Sequence, residues 1–187
     1  MQKEAQELRA GNTFKAGNDL FIIQKALYNK GARNASTMKL KVRNIATNAV
    51  SETVYKAADK FEVVVLDRRP MQYLYANGNL YTFMDEETFE QIELTSDDLG
   101  DALNYLIEQM TISVLMFGEK PVGVEMPDKV DLAIAYTEPA VKGDTSGKVM
   151  KAAKLETGFE IQVPAYCVIG EKIRIDTRTG EFLSRAQ

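Results

Sequence analysis

The chain contains no histidine, and Cys167 is its only cysteine. A lone cysteine excludes an internal disulfide, and without histidine the usual zinc sites and the Ser-His and Cys-His catalytic arrangements lose their central residue. These absences argue against an enzyme, and the sequence offers no catalytic, metal-binding or cofactor-binding constellation. Cys167 lies in "VPAYCVIG" and reads as a small core residue rather than a reactive thiol. No apolar run approaches the roughly 20 residues that a membrane span needs, and the first seven residues, MQKEAQE, are too charged for a secretion signal. The expected location is the cytoplasm, with no membrane partner. Low-complexity segments and convincing repeats are also missing.

What is present is a chain of 187 residues, 45% of them apolar. That is enough to bury one large core or two to three small ones. The formal charge of −4 is unevenly spread. Residues 1–66 carry 11 Lys/Arg against 6 Asp/Glu, residues 67–130 carry 4 against 13, and residues 131–187 carry 8 of each. A basic first third beside an acidic middle suggests that the former meets a polyanion, while the latter avoids it or touches something basic.

Short apolar runs separated by turn signals recur along the chain, among them "LFIIQKAL", "TMKLKVR", "FEVVVL", "TISVLMF" and "EKIRIDTRTGEF". Such patterning suggests small β-barrels. Asn77-Gly78 predicts a type I′ hairpin turn, and Thr179-Gly180 marks another hairpin. One segment has helical period: Leu99, Ala102, Leu103, Leu106, Ile107 and Met110 form a single stripe. Thr95 or Ser96 can cap that helix, and Asp97, Asp98 and Asp101 then suit its N-terminal dipole rather than acid-base chemistry. "DEETFE" at 85–90 reads as a solvated acidic turn, because its spacing matches no Ca²⁺ loop. The aromatics Tyr73, Tyr75, Tyr81 and Phe83 read as core. Boundaries near Leu66-Asp67 and Val130-Asp131 divide the chain into three all-β modules, 1–66, 67–130 and 131–187, with one short helix in the middle module.

In "TMKLKVRN" alternation puts Met38, Leu40 and Val42 on an inner face and Lys39, Lys41 and Arg43 on an outer one. The outer row spaces cations at about 6.5 Å, near the spacing of successive phosphates. A solvated face would look the same, but the basic character of the whole first third favours RNA contact. "FIIQKAL" supplies the partner strand, which leaves about ten residues from Tyr28 to Thr37 as a connection, long for a hairpin. Lys30, Gly31, Ala32, Arg33 and Asn34 lie in it, and nothing after Tyr28 is bulky except the Arg33 side chain near the tip. Composition alone does not separate a slender functional projection from a flexible solvent loop.

The segments "AQELRAGN", "YKAADKFE", "YTFMDEETFEQ", "YTEPAVKGDTSGKVMKAAKL" and "GFEIQVPAYCVIGEKIRIDTRTGEFLSR" together resemble the bacterial elongation factor P family over nearly the whole chain. The last is the most specific, with Lys151, Ala153, Gly158, Ile161, Val163, Pro164 and Gly170 at the family's spacing before Asp176-Thr177-Arg178-Thr179-Gly180. The resemblance implies a tRNA-shaped monomer built from an SH3-like (KOW-type) barrel and two OB folds. It implies binding to the 70S ribosome between the P and E sites and relief of stalling at consecutive prolines. The early loop would reach the CCA end of the P-site peptidyl- or initiator tRNA. Lys142, Gly143, Asp144 and Thr145 would lie near the E-site codon, although on residues alone a simple turn is the favoured reading of "VKGDTSGK". The acidic module would face a basic ribosomal protein of the E-site region or solvent.

The resemblance also locates a departure. Many members carry a Pro-Gly-Lys-Gly tip whose lysine receives β-lysine, whereas Gly31-Ala32-Arg33-Asn34 stands there in this sequence. The match is to the arginine-type subfamily, which implies that Arg33 is rhamnosylated by an arginine rhamnosyltransferase using dTDP-rhamnose. Acylation of the lysine type is disfavoured, because a guanidinium is a far poorer nucleophile than an amine. Lys30 is the secondary candidate for modification. Two other readings stand beside this one: a paralogue within the family, and a generic OB-fold module that binds single-stranded nucleic acid through aromatic platforms.

Overall fold

The computed structural model describes residues 1–31, 35–139 and 149–186. Three sheets follow one another along the chain. The first comprises β1 (Gln2–Glu4), β2 (Thr13–Ala16), β3 (Asp19–Asn29), β4 (Thr37–Asn44), β5 (Val50–Lys56) and β6 (Lys60–Val64), in the order β1-β6-β2-β3-β4-β5. The second comprises β7 (Asp67–Asn77), β8 (Leu80–Asp85), β9 (Gln91–Thr95), β10 (Thr111–Phe117) and β11 (Lys120–Glu125), in the order β11-β10-β7-β8-β9. The third comprises β12 (Lys129–Thr137), β13 (Met150–Leu155), β14 (Glu160–Pro164), β15 (Lys172–Asp176) and β16 (Glu181–Arg185), in the order β14-β13-β12-β15-β16. The chain is nearly all-β, with three barrel-like domains. Among the described residues no helix is long and apolar enough to cross a membrane.

Alternation builds each core. In β4, Met38, Leu40 and Val42 are buried with Leu8, Phe14, Ile23 and Val63, while the residues between them face outward. The third sheet buries Leu132, Ile134, Leu155, Val163, Ile173 and Ile175, and Cys167 joins them with no solvent exposure. Burial raises the Cys167 thiol above its ordinary pKa, so it packs as a small apolar group, as its setting predicts.

The chain forms two compact units. One contains Met1–Arg69 with Val114–Gly123, the other Pro70–Ser113 with Val124–Gln187. In the first, Leu115 and Val122 of the β10–β11 hairpin pack with Ile22, Ile45 and Leu66. Gly123 is required there, since a Cβ would come 2.6 Å from the Ile45 Cγ2 methyl. In the second unit, Tyr105 packs edge-on to Phe159, with ring centroids 5.5 Å apart, and the Thr157 hydroxyl donates to the Asn104 carbonyl at 2.7 Å.

Three expectations need correction. The helical stripe over 99–110 is one α-helical turn, α1 (Ser96–Leu99), followed by a 3₁₀ turn, Gly100–Asn104. Gly100, at φ 50°, ends the α-helix, and the 3₁₀ period aligns Leu99, Ala102 and Tyr105, all buried, without any helix reaching Met110. The predicted cap is present: the Asp98 amide donates to Thr95 Oγ1 at 3.2 Å, and the Thr95 amide donates to the Asp98 carboxylate at 2.8 Å. The β7–β8 loop is Gly78-Asn79, flanked by the pair Asn77–Leu80. Only Gly78 has positive φ, 63°, which is the type II′ pattern rather than I′. Tyr75 is 51% exposed. A bulge between Tyr73 and Tyr75 sets it opposite Thr82, so it leaves the face on which Tyr73 and Phe83 are buried.

The hairpin at Thr179-Gly180 forms as expected between β15 and β16, where Asp176 pairs with Glu181. Asp176 fixes its turn. Its carboxylate accepts from the Arg178 amide at 2.9 Å and from the Arg178 guanidinium at 2.8 Å. These hydrogen bonds hold its pKa down at about 2.

Candidate nucleic-acid interface

β3 and β4 form one long hairpin whose pairing continues to Asn29–Thr37. The connection is therefore residues 30–36, seven residues, not the ten expected from the end of the apolar run. Strand pairing extends past Tyr28 because the backbone ladder needs no apolar side chains there. Lys30 and Gly31 are exposed at its start. Ala32, Arg33 and Asn34 lie outside the described residues, as do Lys142, Gly143, Asp144 and Thr145.

The outer face of β4 carries Lys39, Lys41 and Arg43 between the buried positions, as alternation predicts. Their surroundings are richer than a bare ladder. The Lys39 ammonium is 2.6 Å from the Glu52 carboxylate of β5, with both side chains partly exposed. That hydrogen bond, with Lys41 and Lys25 also nearby, lowers the Glu52 pKa below the ordinary carboxylate value. The Arg43 guanidinium donates to Asn48 Oδ1 at 2.7 Å. Lys41 is the most exposed cation of the three.

Two members of this face escaped the sequence reading. Lys25 of β3 sits beside Lys41 because a bulge between Ile23 and Lys25 shifts the register. Regular pairing would have put it opposite Leu40, against the core. A visible trace is the three-residue step between Ile23 and Ala26, which breaks strict alternation. Glu52 is opposite Lys41 on the other side, a register no local pattern reveals. The face is thus a row of Lys25, Lys41 and Glu52 crossed by Lys39, whose cross-strand neighbours are the partly exposed Leu27 and Val54.

Arg9 is a further cation beside the loop end of the hairpin. Its guanidinium donates to the Gln6 and Leu8 carbonyls, each at 2.8 Å, and with Gln6, Ala26, Tyr28 and Met38 it lines an open depression. Near the other predicted contact segment, the Lys151 ammonium donates to the Glu138 carbonyl at 2.6 Å and Thr137 Oγ1 donates to the Ala152 carbonyl at 2.8 Å. Among the described residues no cluster of three or more His, Cys, Asp or Glu is placed to hold a metal ion.

Models of three elongation factor P domains match the chain in succession: the KOW-like domain over residues 4–61, the OB domain over 66–124 and the C-terminal domain over 130–185. The chain belongs to the elongation factor P family. Elongation factor P of Cupriavidus metallidurans is 55% identical over 185 residues, covering 98% of this chain and 99% of the relative. That of Paraburkholderia phymatum is also 55% identical over 185 residues, covering 98% and 100%. Members of the elongation factor P family are translation factors, and this chain is one rather than an enzyme. A solved eukaryotic translation initiation factor 5A from Methanococcus jannaschii superposes with a TM-score of 0.51 at 21% identity, over 67% of this chain and 92% of that one. At that identity the likeness concerns the fold alone.

Proposed function

We propose that this member of the family acts in the cytoplasm on the 70S ribosome, between the P and E sites, and speeds peptide-bond formation at consecutive prolines. The three modules, 1–66, 67–130 and 131–187, divide the work. The first carries the loop residues Lys30–Asn34 toward the CCA end of the P-site peptidyl- or initiator tRNA. Lys142, Gly143, Asp144 and Thr145 of the third approach the E-site codon. The observation that carries this reading is the cationic face of Lys25, Lys39, Lys41 and Arg43 on the two strands that hold the loop, in a chain of this family.

The factor supplies no reacting group. Peptidyl transfer belongs to the ribosome and is slow with proline because the ring restricts both chain and nucleophile. Packing Arg33 along the terminal nucleotides orders the peptidyl end, and the gain is positional entropy. Well-placed reactants recover up to about 7 to 11 kcal/mol, so a share of about 1.4 to 3 kcal/mol means roughly 10- to 150-fold in rate. Arginine suits the position because its planar cation stacks on bases and stays charged.

Arg33 is the modified residue in this reading. An arginine rhamnosyltransferase joins a guanidinium nitrogen to C1 of the sugar of dTDP-rhamnose, with dTDP leaving and one proton released. The rhamnose adds reach and hydroxyl contacts. Intact mass measurement of the protein purified from its own cells tests this directly. One deoxyhexose on wild type and none on Arg33→Lys is expected; an unmodified wild type, or a deoxyhexose retained on the lysine variant, would contradict the assignment.

A further inference from the structure

The turn that joins β5 to β6 holds more backbone than its own. It runs through Ala57, Ala58 and Asp59, in the segment "YKAADKFE". Asp59 closes it on both sides of Lys56: its amide donates to the Lys56 carbonyl at 3.0 Å, and its carboxylate accepts from the Lys56 amide at 2.9 Å. The two alanines have no hydrogen-bonding side chain, so the Asp59 carboxylate is what gives this turn a side-chain lock.

From the closed turn, hydrogen bonds run toward both feet of the connection 30–36. At the far foot the Ala57 amide donates to the Ser36 carbonyl at 2.9 Å, one bond beyond the last β4–β5 pair, Thr37–Lys56. Toward the near foot the Ala57 and Asp59 carbonyls accept from the Gln6 and Ala5 amides at 3.1 and 2.8 Å. Those bonds fix the Gln6 carbonyl to which the Arg9 guanidinium donates, and Gln6 and Arg9 border one depression with Tyr28, just before the connection. A loop that works by placement loses rate when its feet shift, and about 1 Å of misplacement costs up to about 100-fold. We propose that Asp59 is a positioning residue: by closing this turn it fixes both feet of the connection and with them the aim of the loop that carries Arg33. The inference deepens the function proposed above and rests on it. Asp59 sets placement and not binding strength.

The test titrates the full-length factor to saturation in Pro-Pro-Pro synthesis, with every variant at the wild-type modification state by intact mass. Asp59→Ala removes the acceptor and still melts above the assay temperature. Its maximal rate is expected to fall about 5- to 10-fold, while the half-saturating concentration stays within about twofold of wild type. Asp59→Asn keeps an acceptor oxygen and restores the wild-type maximum. Amide hydrogen exchange reads the clamp separately: the Ala57 amide is protected in wild type, and Asp59→Ala abolishes that protection while the β4 amides keep theirs. An unchanged maximum for Asp59→Ala, a raised half-saturating concentration at an unchanged maximum, an Asp59→Asn variant as slow as Asp59→Ala, or an unprotected Ala57 amide in wild type would overturn the proposal. If Asp59→Ala fails to fold, Asp59→Asn and the wild-type exchange decide. Wild type that gives no rescue removes the functional reading and this inference together; wild-type rescue matched by Asp59→Ala removes only the inference.

Discussion

β3 and β7 are built alike and used differently. Each has 11 residues, a bulge near its middle and a hairpin partner. In β3 the bulge brings Lys25 to the outer face beside Lys41, and the hairpin opens into a seven-residue connection. In β7 the bulge exposes Tyr75 in the acidic module, and the hairpin closes through two residues with glycine in front. One inserted residue re-aims every side chain beyond it. What distinguishes the two hairpins is therefore the charge of the re-aimed face and the length of the loop, not strand architecture.

The buried faces of both hairpins should respond alike and most strongly. Phe83→Ala in β8 and Leu40→Ala in β4, both with no solvent exposure, are expected to cost about 3 to 5 and 2 to 5 kcal/mol respectively, measured by urea denaturation. A clear asymmetry between them would show that one hairpin is not the core element its packing implies. The outward faces should then part company. Lys41→Glu is expected to weaken ribosome binding and lower its salt dependence by about one ion, whereas Glu52→Gln frees Lys39 and strengthens binding, both by co-sedimentation across a salt series. Equal and opposite indifference of the two would reduce the cationic face to a solvated surface.

Smaller effects sharpen the contrast. Asp176 has its folded pKa depressed to about 2 from 3.8, so its contribution is present above pH 4 and is lost as pH falls toward 2. Asp176→Asn should lower stability at neutral pH and flatten that acid limb, followed by thermal melts across pH. Tyr75→Ser should change stability by no more than about 0.5 kcal/mol and leave ribosome binding intact, because the residue is exposed and lies in neither proposed RNA-contact segment. A large binding loss there would favour the aromatic-platform reading of a single-stranded nucleic-acid module.

How much was legible follows the range of the interactions. The inner and outer faces of β4, the Thr95 cap, the Gly180 hairpin and the burial of Cys167 are set by neighbours within a few residues, and the sequence shows them. The bulges at β3 and β7 arise from pairing between strands, so Lys25 was missed and Tyr75 misplaced. Glu52 is adjacent to Lys39 only through the β4–β5 register. The 99–110 stripe satisfies α and 3₁₀ periods for its first members alike, and Gly100 decides between them. The proposal that the loop after Asn29 is the working end rests on the family pattern, because local physics alone does not separate it from a solvent loop.

The most direct test of the account is synthesis of a Pro-Pro-Pro peptide in a reconstituted translation system, comparing the modified wild-type factor with Arg33→Ala. The account predicts that the variant unfolds at the wild-type temperature and yields no rescue. Full rescue by Arg33→Ala would contradict it.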